Sequence, residues 1–390
     1  MNFESKKLHM EQQLKNRINE LLISPASRDN RIDSIRGLML VLITINHYGG
    51  WLADFVWQPI GFVSDAEGFI FISGFVLSLV YGKYLVNYNK LAVKVLHRSF
   101  TVYKYHIFLV VGILLIGFII PLYQAYWKNI NFYYHSAPVL KSCISTALLI
   151  FQPGFMDVLP LYAIFILMSW PFLILLHKGK TFLAITATLL IWLWGQFVNP
   201  TVYLCKAFFM GANPGVFNIF SWQIIFMIGV YLGFKKKIKE ELSFFNNKFI
   251  KLFMFSIFMV LLFLRYNEKF NFFFLDINLF PHLYRTTLPW LRLLNFLAVL
   301  FVVSEIIKRI PERCGIPIIQ FLGKHSLQVF SCHILFIYLV FIPLGFGKGV
   351  ITKYGNTAYI IVLIISLMVM YASAYAHKIH MDGLKKKKQP

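Results

Sequence analysis

The sequence predicts an all-α, polytopic integral membrane protein with about ten transmembrane helices and both termini in the cytoplasm. Of its 390 residues, 58% are hydrophobic and 18% aromatic, and the mean hydropathy is +0.66. A soluble domain of this length needs far less apolar sequence for its core. Apolar stretches of spanning length recur along the chain. The net charge is +22, and the basic residues cluster between these apolar stretches. This distribution is typical of lysines and arginines that set the membrane topology and is less typical of a nucleic-acid-binding surface.

The predicted spans follow one another along most of the chain. A helix crosses the ~30 Å hydrocarbon layer with about 20 residues, and ten apolar stretches approach that length. They are residues 37–55, 66–86, 100–120, 159–176, 182–198, 217–234, 249–264, 288–307, 322–344 and 357–376.

Residues 137–151 form an ambiguous eleventh stretch. If they crossed the membrane, the basic segments 235–237, 308–309 and 385–388 would all move to the outer side. If they do not cross, these segments share the cytoplasm with the loop 83–98, as the positive-inside rule expects. We therefore predict that residues 137–151 are re-entrant or interfacial.

The chain divides into three predicted parts. Residues 1–30 form a polar cytoplasmic segment without the apolar core of a signal peptide. Residues 31–377 form one membrane domain, in which we find no internal repeat, and residues 378–390 form a basic cytoplasmic tail. The four cysteines are scattered without a CxxC pair, which argues against a metal site or a disulfide framework.

Arg36 and His47, on the first predicted span, are the residues that point most directly to chemistry. Eleven residues on a helix rise about 16 Å, half the hydrocarbon thickness. Arg36 would lie at the membrane boundary and His47 deep inside, where an ionisable ring is a functional candidate. In the alternative, Arg36 is a snorkelling anchor and His47 bonds a neighbouring helix. Arg36 would also be within reach of Asp33, three residues before it.

Cations near the predicted cytoplasmic side form a candidate donor site. Guanidinium groups bind phosphate bidentately and ammonium groups add point charge, so such a ring suits a phosphate-rich acyl donor such as a coenzyme A thioester. Positive-inside anchoring is the better explanation for any single lysine, whereas for the arginines we prefer the donor role. The candidates are Arg36, Arg98, His106 and Lys324.

Polar residues around His47 and towards the outer side form a candidate transfer site. A neutral imidazole takes the proton of an alcohol that attacks a thioester, provided that a neighbour fixes its tautomer. We expect His47 to be this base, with Glu67 or Asp65 orienting it. Alternatively, Asp65 caps a helix and Glu67 favours the helix dipole. His333 is either a second wall of the cavity or a satisfied interhelical contact, and Asp157 falls on the outer side.

Two predicted outer loops, 121–160 and 265–287, are long and aromatic. Their rings suit a sugar-stacking surface, and they equally suit an interfacial aromatic belt. The second interpretation is preferred for most of these residues.

Several blocks of the chain resemble the OpgC family, integral membrane proteins implicated in succinylating osmoregulated periplasmic glucans. The resemblance runs from about residue 28 to residue 377. Trp222 and Gln223 stand in one block and are expected, with Asp157 and His333, to contact substrate or line the cavity. The blocks are RIDSIRG from Arg31, INH ending at His47, DAEGFIFISGF from Asp65, RSFTVYKYH ending at His106, DVLPLY from Asp157, FNIFSWQ ending at Gln223 and FLGKHSLQVF from Phe321.

OpgC-like proteins are similar to the wider acyltransferase-3 group, in which an arginine, ten residues and a histidine on the first span mark the active site. Arg36 and His47 occupy these positions. The resemblance implies that the histidine acts in acyl transfer from cytoplasmic acyl-CoA to an extracytoplasmic carbohydrate hydroxyl, and that arginines bind the donor. Residues 43–46 depart from close relatives, which often carry an acidic or bulky residue there. Lys324 stands where arginine is more usual, which weakens bidentate phosphate recognition.

We therefore expect a multi-pass O-acyltransferase of the bacterial inner membrane. It would move an acyl group, with succinyl as a candidate, from the co-substrate acyl-CoA to a periplasmic glucan or another extracytoplasmic glycan. We expect no bound cofactor, metal or nucleic acid. The expected partners are the glycan acceptor, the lipid bilayer and, optionally, the glucan-synthesis machinery. The alternatives are a transporter or flippase for a glycan or lipid-linked sugar and, less favoured, a non-catalytic partner of a glycan synthase.

Overall fold

The computed structural model describes residues 13, 16–24, 28–127, 138–240, 246–270 and 283–386, and every regular element in these ranges is helical. The predicted all-α class is confirmed for this part of the chain. After a short helix at residues 16–23, the helices are α1 (Asn30–Tyr48), α2 (Trp51–Val56), α3 (Asp65–Tyr81), α4 (Tyr88–Ile119), α5 (Pro121–Trp127), α6 (Val139–Ala147), α7 (Val158–His177), α8 (Thr181–Trp194), α9 (Pro200–Phe208), α10 (Ile219–Lys237), α11 (Lys248–Phe270), α12 (Trp290–Lys308), α13 (Pro317–Lys324), α14 (Ser326–Phe336) and α15 (Phe346–Lys386). The helix α15 is kinked at Gly355, whose backbone angles are not helical. A 3₁₀ turn (Gly82–Tyr84) follows α3, and a π turn (Ile337–Phe341) extends α14.

Among the described helices, six are long and apolar enough to cross a membrane, or seven if α13 and α14, bent by 91°, form one span. These seven coincide with predicted stretches, which supports a membrane protein. The other three predicted stretches, 37–55, 182–198 and 217–234, are helical but do not meet that standard. The predicted count of ten is therefore not confirmed.

Local features of the chain explain why these three stretches do not meet the standard for a membrane-spanning helix. The helix α8 has only 14 residues, about 21 Å at 1.5 Å per residue. The helix α10 ends in three lysines, 235–237. The stretch 37–55 is not the single helix that we predicted, because Gly49 and Gly50 take positive φ values of 69° and 83° and separate α1 from α2. Glycine alone adopts such angles without strain. His47 consequently lies in the last turn of α1 and not in the middle of a longer helix.

Contacts between helix termini define two ends of the bundle, which we name the Arg36 end and the His47 end after residues of α1. At the Arg36 end, the Arg31 guanidinium donates a hydrogen bond to the Ile307 carbonyl near the end of α12 at 2.8 Å. At the His47 end, the Tyr359 hydroxyl of α15 donates to the C-cap carbonyl of α1 at 2.8 Å. The helix α1 thus runs the depth of the bundle.

Basic segments predicted to share one side of the membrane gather at the Arg36 end. His177, which closes α7, contacts Asn19 and the Tyr88 hydroxyl, each at 2.9 Å. Lys236, which lies near the end of α10, pairs with Asp29 at 2.9 Å. This arrangement agrees with the predicted alternation of loops.

Asp29 fixes the beginning of α1. Its side chain accepts a hydrogen bond from the backbone N–H of Arg31 at 3.1 Å and from the Arg31 guanidinium at 2.9 Å. Lys236 donates a further bond at 2.9 Å. Burial acts to raise the pKa of Asp29, but the hydrogen bonds and charges of Arg31 and Lys236 outweigh burial and hold the pKa at about 2.

The helices α3 and α10 pack through glycines. A Cβ added to Gly74 would collide with the Phe226 carbonyl oxygen, and one added to Gly229 would collide with the Phe71 carbonyl oxygen. Helices in membranes associate closely at small residues because the backbones then gain dispersion contacts. This contact fixes the position of α3, whose first turn carries two predicted site residues.

The segment 137–151 contains α6, a helix of nine residues. Such a helix is about 14 Å long and too short to cross the hydrocarbon layer, in agreement with a non-spanning segment. The predicted aromatic-loop residues 132–134 and 272–274 lie outside the described residues, as do residues 387–390 of the basic tail and much of the N-terminal segment.

Candidate active site

A small polar cavity lies at the His47 end of the bundle, between α1, α3 and α7. Its polar lining comes from four separate parts of the chain: His47, Asp65, Asp157 and Arg285. The first three were predicted as site residues, and the fold brings them together. The remaining wall is apolar, formed by Ile43, Ala66, Phe69, Ile70, Val158 and Phe217.

His47 contacts a second histidine. Its Nδ1 lies 3.0 Å from Nε2 of His333 on α14. The two rings are nearly parallel, at 18° with centroids 5.3 Å apart. Phe155 packs against the other side of the His47 ring, with centroids 5.0 Å apart. The contact uses Nδ1, so Nε2 is the ring nitrogen of this cavity-lining residue that remains available to a ligand.

Asp65 begins α3 and is tied to α1. The side-chain amide of Asn46 donates to Asp65 Oδ2 at 2.7 Å. Asn46 precedes His47 in the chain, so this bond couples the first turn of α3 to the turn that carries the histidine. Asp65 therefore has a fixed direction at the cavity edge.

Asp157 lies at the start of α7. Its Oδ2 accepts a hydrogen bond from the backbone N–H of Val216 at 3.1 Å. The preceding Gly215 has φ of 79°, and a Cβ there would approach Asp157 to 2.9 Å. Glycine at this position lets the loop before α10 close over the carboxylate.

Arg285 is the polar cavity residue that our sequence-based site omitted, and it belongs to the predicted outer loop 265–287. Its guanidinium lies over the rings of Phe217 and Trp57, at 4.9 and 5.5 Å from their centroids. Its backbone carbonyl accepts a hydrogen bond from the indole of Trp222 at 2.9 Å. Its buried Nε has no hydrogen-bond partner among the described residues. The loop conformation that aims it has no periodic sequence signal.

Glu67, predicted to orient His47, has other partners. One oxygen accepts from Arg292 Nε on α12 at 2.6 Å, and the other accepts from the backbone N–H of Ser64 at 3.1 Å and from its hydroxyl. Glu67 and Arg292 are both fully buried. These bonds satisfy both carboxylate oxygens, so Glu67 forms an interhelical ion pair and a helix cap, and His333 takes the place beside His47.

Arg36 and Arg98 come together near the other end of α1. Arg98 and the Tyr162 hydroxyl both contribute to the electrostatic environment of Arg36, and Tyr162 also interacts with Arg98. Tyr105 also interacts with Arg98 and accepts a hydrogen bond from Gln328 at 3.0 Å. The buried Nε of Arg36 has no hydrogen-bond partner among the described residues.

The suggested Asp33–Arg36 pair does not form as a hydrogen-bonded ion pair. Asp33 instead accepts two hydrogen bonds from Arg28, at 2.6 and 3.2 Å. The guanidinium of Arg36 is therefore not committed to the nearest acidic residue in its own helix.

The remaining predicted site residues lie elsewhere. Lys324 is exposed at the end of α13, and His106 is buried in α4 with neither ring nitrogen hydrogen-bonded within the described ranges. Gln223 donates to the Thr188 carbonyl of α8 at 2.8 Å. Trp222 is not part of the cavity lining, and its indole holds the Arg285 loop through the bond to the Arg285 carbonyl. The described residues contain no histidine, cysteine or acidic cluster that suits a metal ion.

A family model described as OpgC protein matches residues 28–380 of this chain. The match covers the bundle, the cavity and the arginines of α1 and α4. No curated protein and no solved structure gives a match.

Proposed function

The chain belongs to the OpgC family, and from this premise we propose that it is an inner-membrane O-acyltransferase that modifies a glycan. The family indicates a glucan-modifying acyltransferase in general terms. In our proposal the donor is cytoplasmic acyl-CoA, with succinyl-CoA as the first candidate, and the acceptor is a hydroxyl of a periplasmic glucan or another extracytoplasmic glycan.

The proposed topology has about ten spans, with the Arg36 end in the cytoplasm and the His47 end facing the periplasm. The described basic segments at the Arg36 end support this orientation, because cytoplasmic loops carry the excess of lysine and arginine. Both termini then lie inside. The cavity opens towards a periplasmic glycan, and the lipid bilayer surrounds the bundle.

One observation carries the proposal: α1 joins two sites of opposite character. Near one end, Arg36 and Arg98 place two guanidinium groups together, and near the other His47 faces a cavity with two carboxylates. The separation of eleven positions from Arg36 to His47 is a rise of about 16 Å along the helix. A donor held by phosphate contacts at the first site would have to present its thioester at the second.

The transfer step uses His47 as a general base. The oxygen of a glycan hydroxyl attacks the thioester carbonyl carbon while its proton passes to Nε2 of His47. The C–S bond then breaks, and the departing thiolate takes up the proton from His47, which yields an ester and free coenzyme A thiol. Proton transfer of this kind contributes about 10² to 10⁴ in rate.

Asp65 and Asp157 are the acceptor-binding groups in this proposal. Asp65 accepts a hydrogen bond from Asn46 and Asp157 accepts one from the backbone N–H of Val216, and a carboxylate has about four lone pairs, so each can also accept from sugar hydroxyls. Arg285 supplies a donor from the same lining. The combination suits a polyhydroxylated ligand better than an apolar one.

The test is coenzyme A thiol release by the purified protein in detergent. The protein is offered acetyl-CoA or succinyl-CoA with and without periplasmic glucan, beside the His47→Ala variant. We expect glucan-dependent release that is lost in the variant while the variant elutes as a folded particle. Folded wild-type protein that releases no thiol with either donor, yet moves glucan across vesicles, would replace the acyltransferase with the transporter.

A further inference from the structure

We propose that His333 is the positioning residue for His47: it receives the Nδ1 proton of His47 and thereby aims the Nε2 lone pair into the cavity. The inference rests on the acyltransferase function proposed above. Its geometric basis is the 3.0 Å contact between His47 Nδ1 and His333 Nε2 and the nearly parallel rings. His333 is 1% exposed, so water does not compete for this contact.

The contact restricts where the protons lie. A hydrogen bond between two imidazole nitrogens holds one proton, donated by one ring and accepted by the other. If His333 donates, the neutral His47 ring carries its proton on Nε2 and cannot act as a base towards the cavity. If His47 donates, its Nε2 is free to accept. Base catalysis therefore requires the arrangement in which His333 is the acceptor.

That arrangement has a cost in the resting protein. With Nε2 accepting, the neutral His333 carries its proton on Nδ1, which is buried and has no hydrogen-bond partner among the described residues. An unsatisfied buried donor costs about 1–3 kcal/mol. In the other tautomer the same Nδ1 is a buried acceptor without a partner among the described residues, so this cost does not decide between the two tautomers.

The same hydrogen bond strengthens during the reaction. When His47 takes up the proton of the acceptor alcohol, it becomes an imidazolium and its Nδ1–H must be the donor. A hydrogen bond from an ionised donor is roughly twice as strong as a neutral one. His333 therefore stabilises the transition state more than the ground state, which raises kcat with little effect on substrate binding.

The charged neighbours of His47 are engaged in other contacts. Asp65 on α3 accepts from Asn46, and Asp157 at the start of α7 accepts from a backbone N–H. Arg285, from the loop before α12, lies over aromatic rings. His333 on α14 is thus the group that binds the Nδ1 side of His47, and the carboxylates and guanidinium act through charge across the cavity.

The packing around His333 limits movement of its ring. Tyr48 lies beside it with centroids 5.6 Å apart, and Phe330 lies edge-on at 6.3 Å. Tyr48 is itself held by stacking on Phe341 and by a hydrogen bond with Ser366 of α15. Contacts from α1, α14 and α15 therefore hold the His333 ring in its position beside His47.

The kinetic test compares His333→Gln with His333→Leu. The glutamine amide oxygen reaches the position of Nε2 and can accept the same proton, whereas leucine fills the space without an acceptor. We expect kcat of His333→Leu to fall about 10- to 100-fold, the usual loss for a partner that orients an imidazole, with both KM values unchanged. His333→Gln should retain most of the activity. The proposal is overturned if the glutamine variant is folded but as inactive as the His47→Ala variant, or if the leucine variant keeps wild-type kcat.

A second measurement does not depend on acyl transfer. Diethyl pyrocarbonate acylates the unprotonated nitrogen of an imidazole, and mass spectrometry gives the labelling rate of His47 itself. We expect equal rates in the wild type and His333→Gln and a several-fold slower rate in His333→Leu, because the lone pair is no longer held at Nε2. The control is His177→Gln, the same substitution at a histidine of the Arg36 end. Equal labelling in all variants would overturn the positioning role, even if no acyltransferase activity were found. Slower labelling in His333→Leu alone would support that role while leaving the proposed function to the thiol assay.

Discussion

Arg292 Nε lies 2.6 Å from Glu67 Oε1, and neither side chain is more than 2% exposed. The pair joins the first turn of α3 to the first turn of α12 behind the cavity. A buried ion pair of this kind contributes little more to folding stability than apolar residues of the same volume. Loss of one partner, however, leaves an uncompensated buried charge and is strongly destabilising.

Glu67→Ala is expected to destabilise the protein by about 3–5 kcal/mol, because it leaves Arg292 buried and unpaired. The measurement is thermal unfolding in detergent. The double variant Glu67→Met with Arg292→Met should recover much of the loss, since it removes both charges. Glu268→Gln, which removes the 60% exposed partner of Arg265, is the control and should change stability by less than about 1 kcal/mol. A Glu67→Ala protein as stable as the wild type but inactive would return Glu67 to the catalytic role.

Glu67 also shows how far sequence reasoning reaches. Asp65 and Glu67 are typical of a helix N-terminus, and α3 begins there, with Ser64 and not Asp65 as its cap. The partner of Glu67 is 225 residues away in the chain, and no local pattern encodes that approach. Glu67 on the next predicted span was therefore assigned to His47, whereas the fold places His333 of α14 beside it.

The membrane helices were predictable because apolar length is a local property. The cavity was predictable only in part: Asp65 and Asp157 stand at helix termini that the loop alternation places at one end, whereas His47 was predicted in the middle of a span and lies in the last turn of α1. The presence of Arg285 in the cavity was not predictable, because the direction of its side chain depends on a loop that Trp222 holds. The break at Gly49 was missed because hydropathy averages across it.

Arg36→Lys and Arg98→Lys are each expected to raise KM for acyl-CoA about 10- to 100-fold, because an ammonium cannot bind phosphate bidentately and a hydrogen bond to a charged group is worth about 1.5–3 kcal/mol. KM for the glycan should not change. The control is Arg28→Lys, whose side chain is 61% exposed and paired with Asp33. Steady-state kinetics with varied donor decides the point, and an effect confined to the glycan KM would contradict donor binding at this end.

Asp65→Asn and Asp157→Asn are expected to raise KM for the glycan about tenfold or more, because each replaces a carboxylate that accepts hydroxyl hydrogen bonds by a weaker neutral acceptor. The donor KM should stay within a factor of two of the wild type. Asp54→Asn, an exposed position in α2, is the matched control. If both cavity variants changed only kcat at saturating glycan, the carboxylates would act on the chemical step and not on acceptor binding.

Gly229→Ala is expected to destabilise the bundle by about 1–3 kcal/mol or more, because the added Cβ meets the Phe71 carbonyl of α3 and forces two helices apart. Gly112→Ala in α4 makes the same change where nothing lies within 4 Å. It should be neutral or stabilising by up to about 1 kcal/mol, the helix-propensity difference. Thermal unfolding of the two variants gives the comparison, and equal melting temperatures would show that the close approach of α3 and α10 is not required.

Asp29→Asn tests the junction that begins α1, through its dependence on pH. The pKa of Asp29 is held at about 2, below its ordinary value of 3.8, by Arg31 and Lys236. A carboxylate whose pKa is lower in the folded state stabilises the fold above its unfolded pKa and loses that contribution as the pH falls through the folded value. The wild type should therefore be more stable than Asp29→Asn at pH 6, and the difference should shrink between about pH 4 and pH 2. Thermal unfolding of both proteins across this range measures it, with Glu240→Gln, which removes a half-exposed partner of Lys235, as the control. If the stability difference between the wild type and Asp29→Asn stayed constant down to pH 2, the charge of Asp29 would have no part in it. The effect would then come from the different hydrogen-bond geometry of an amide cap.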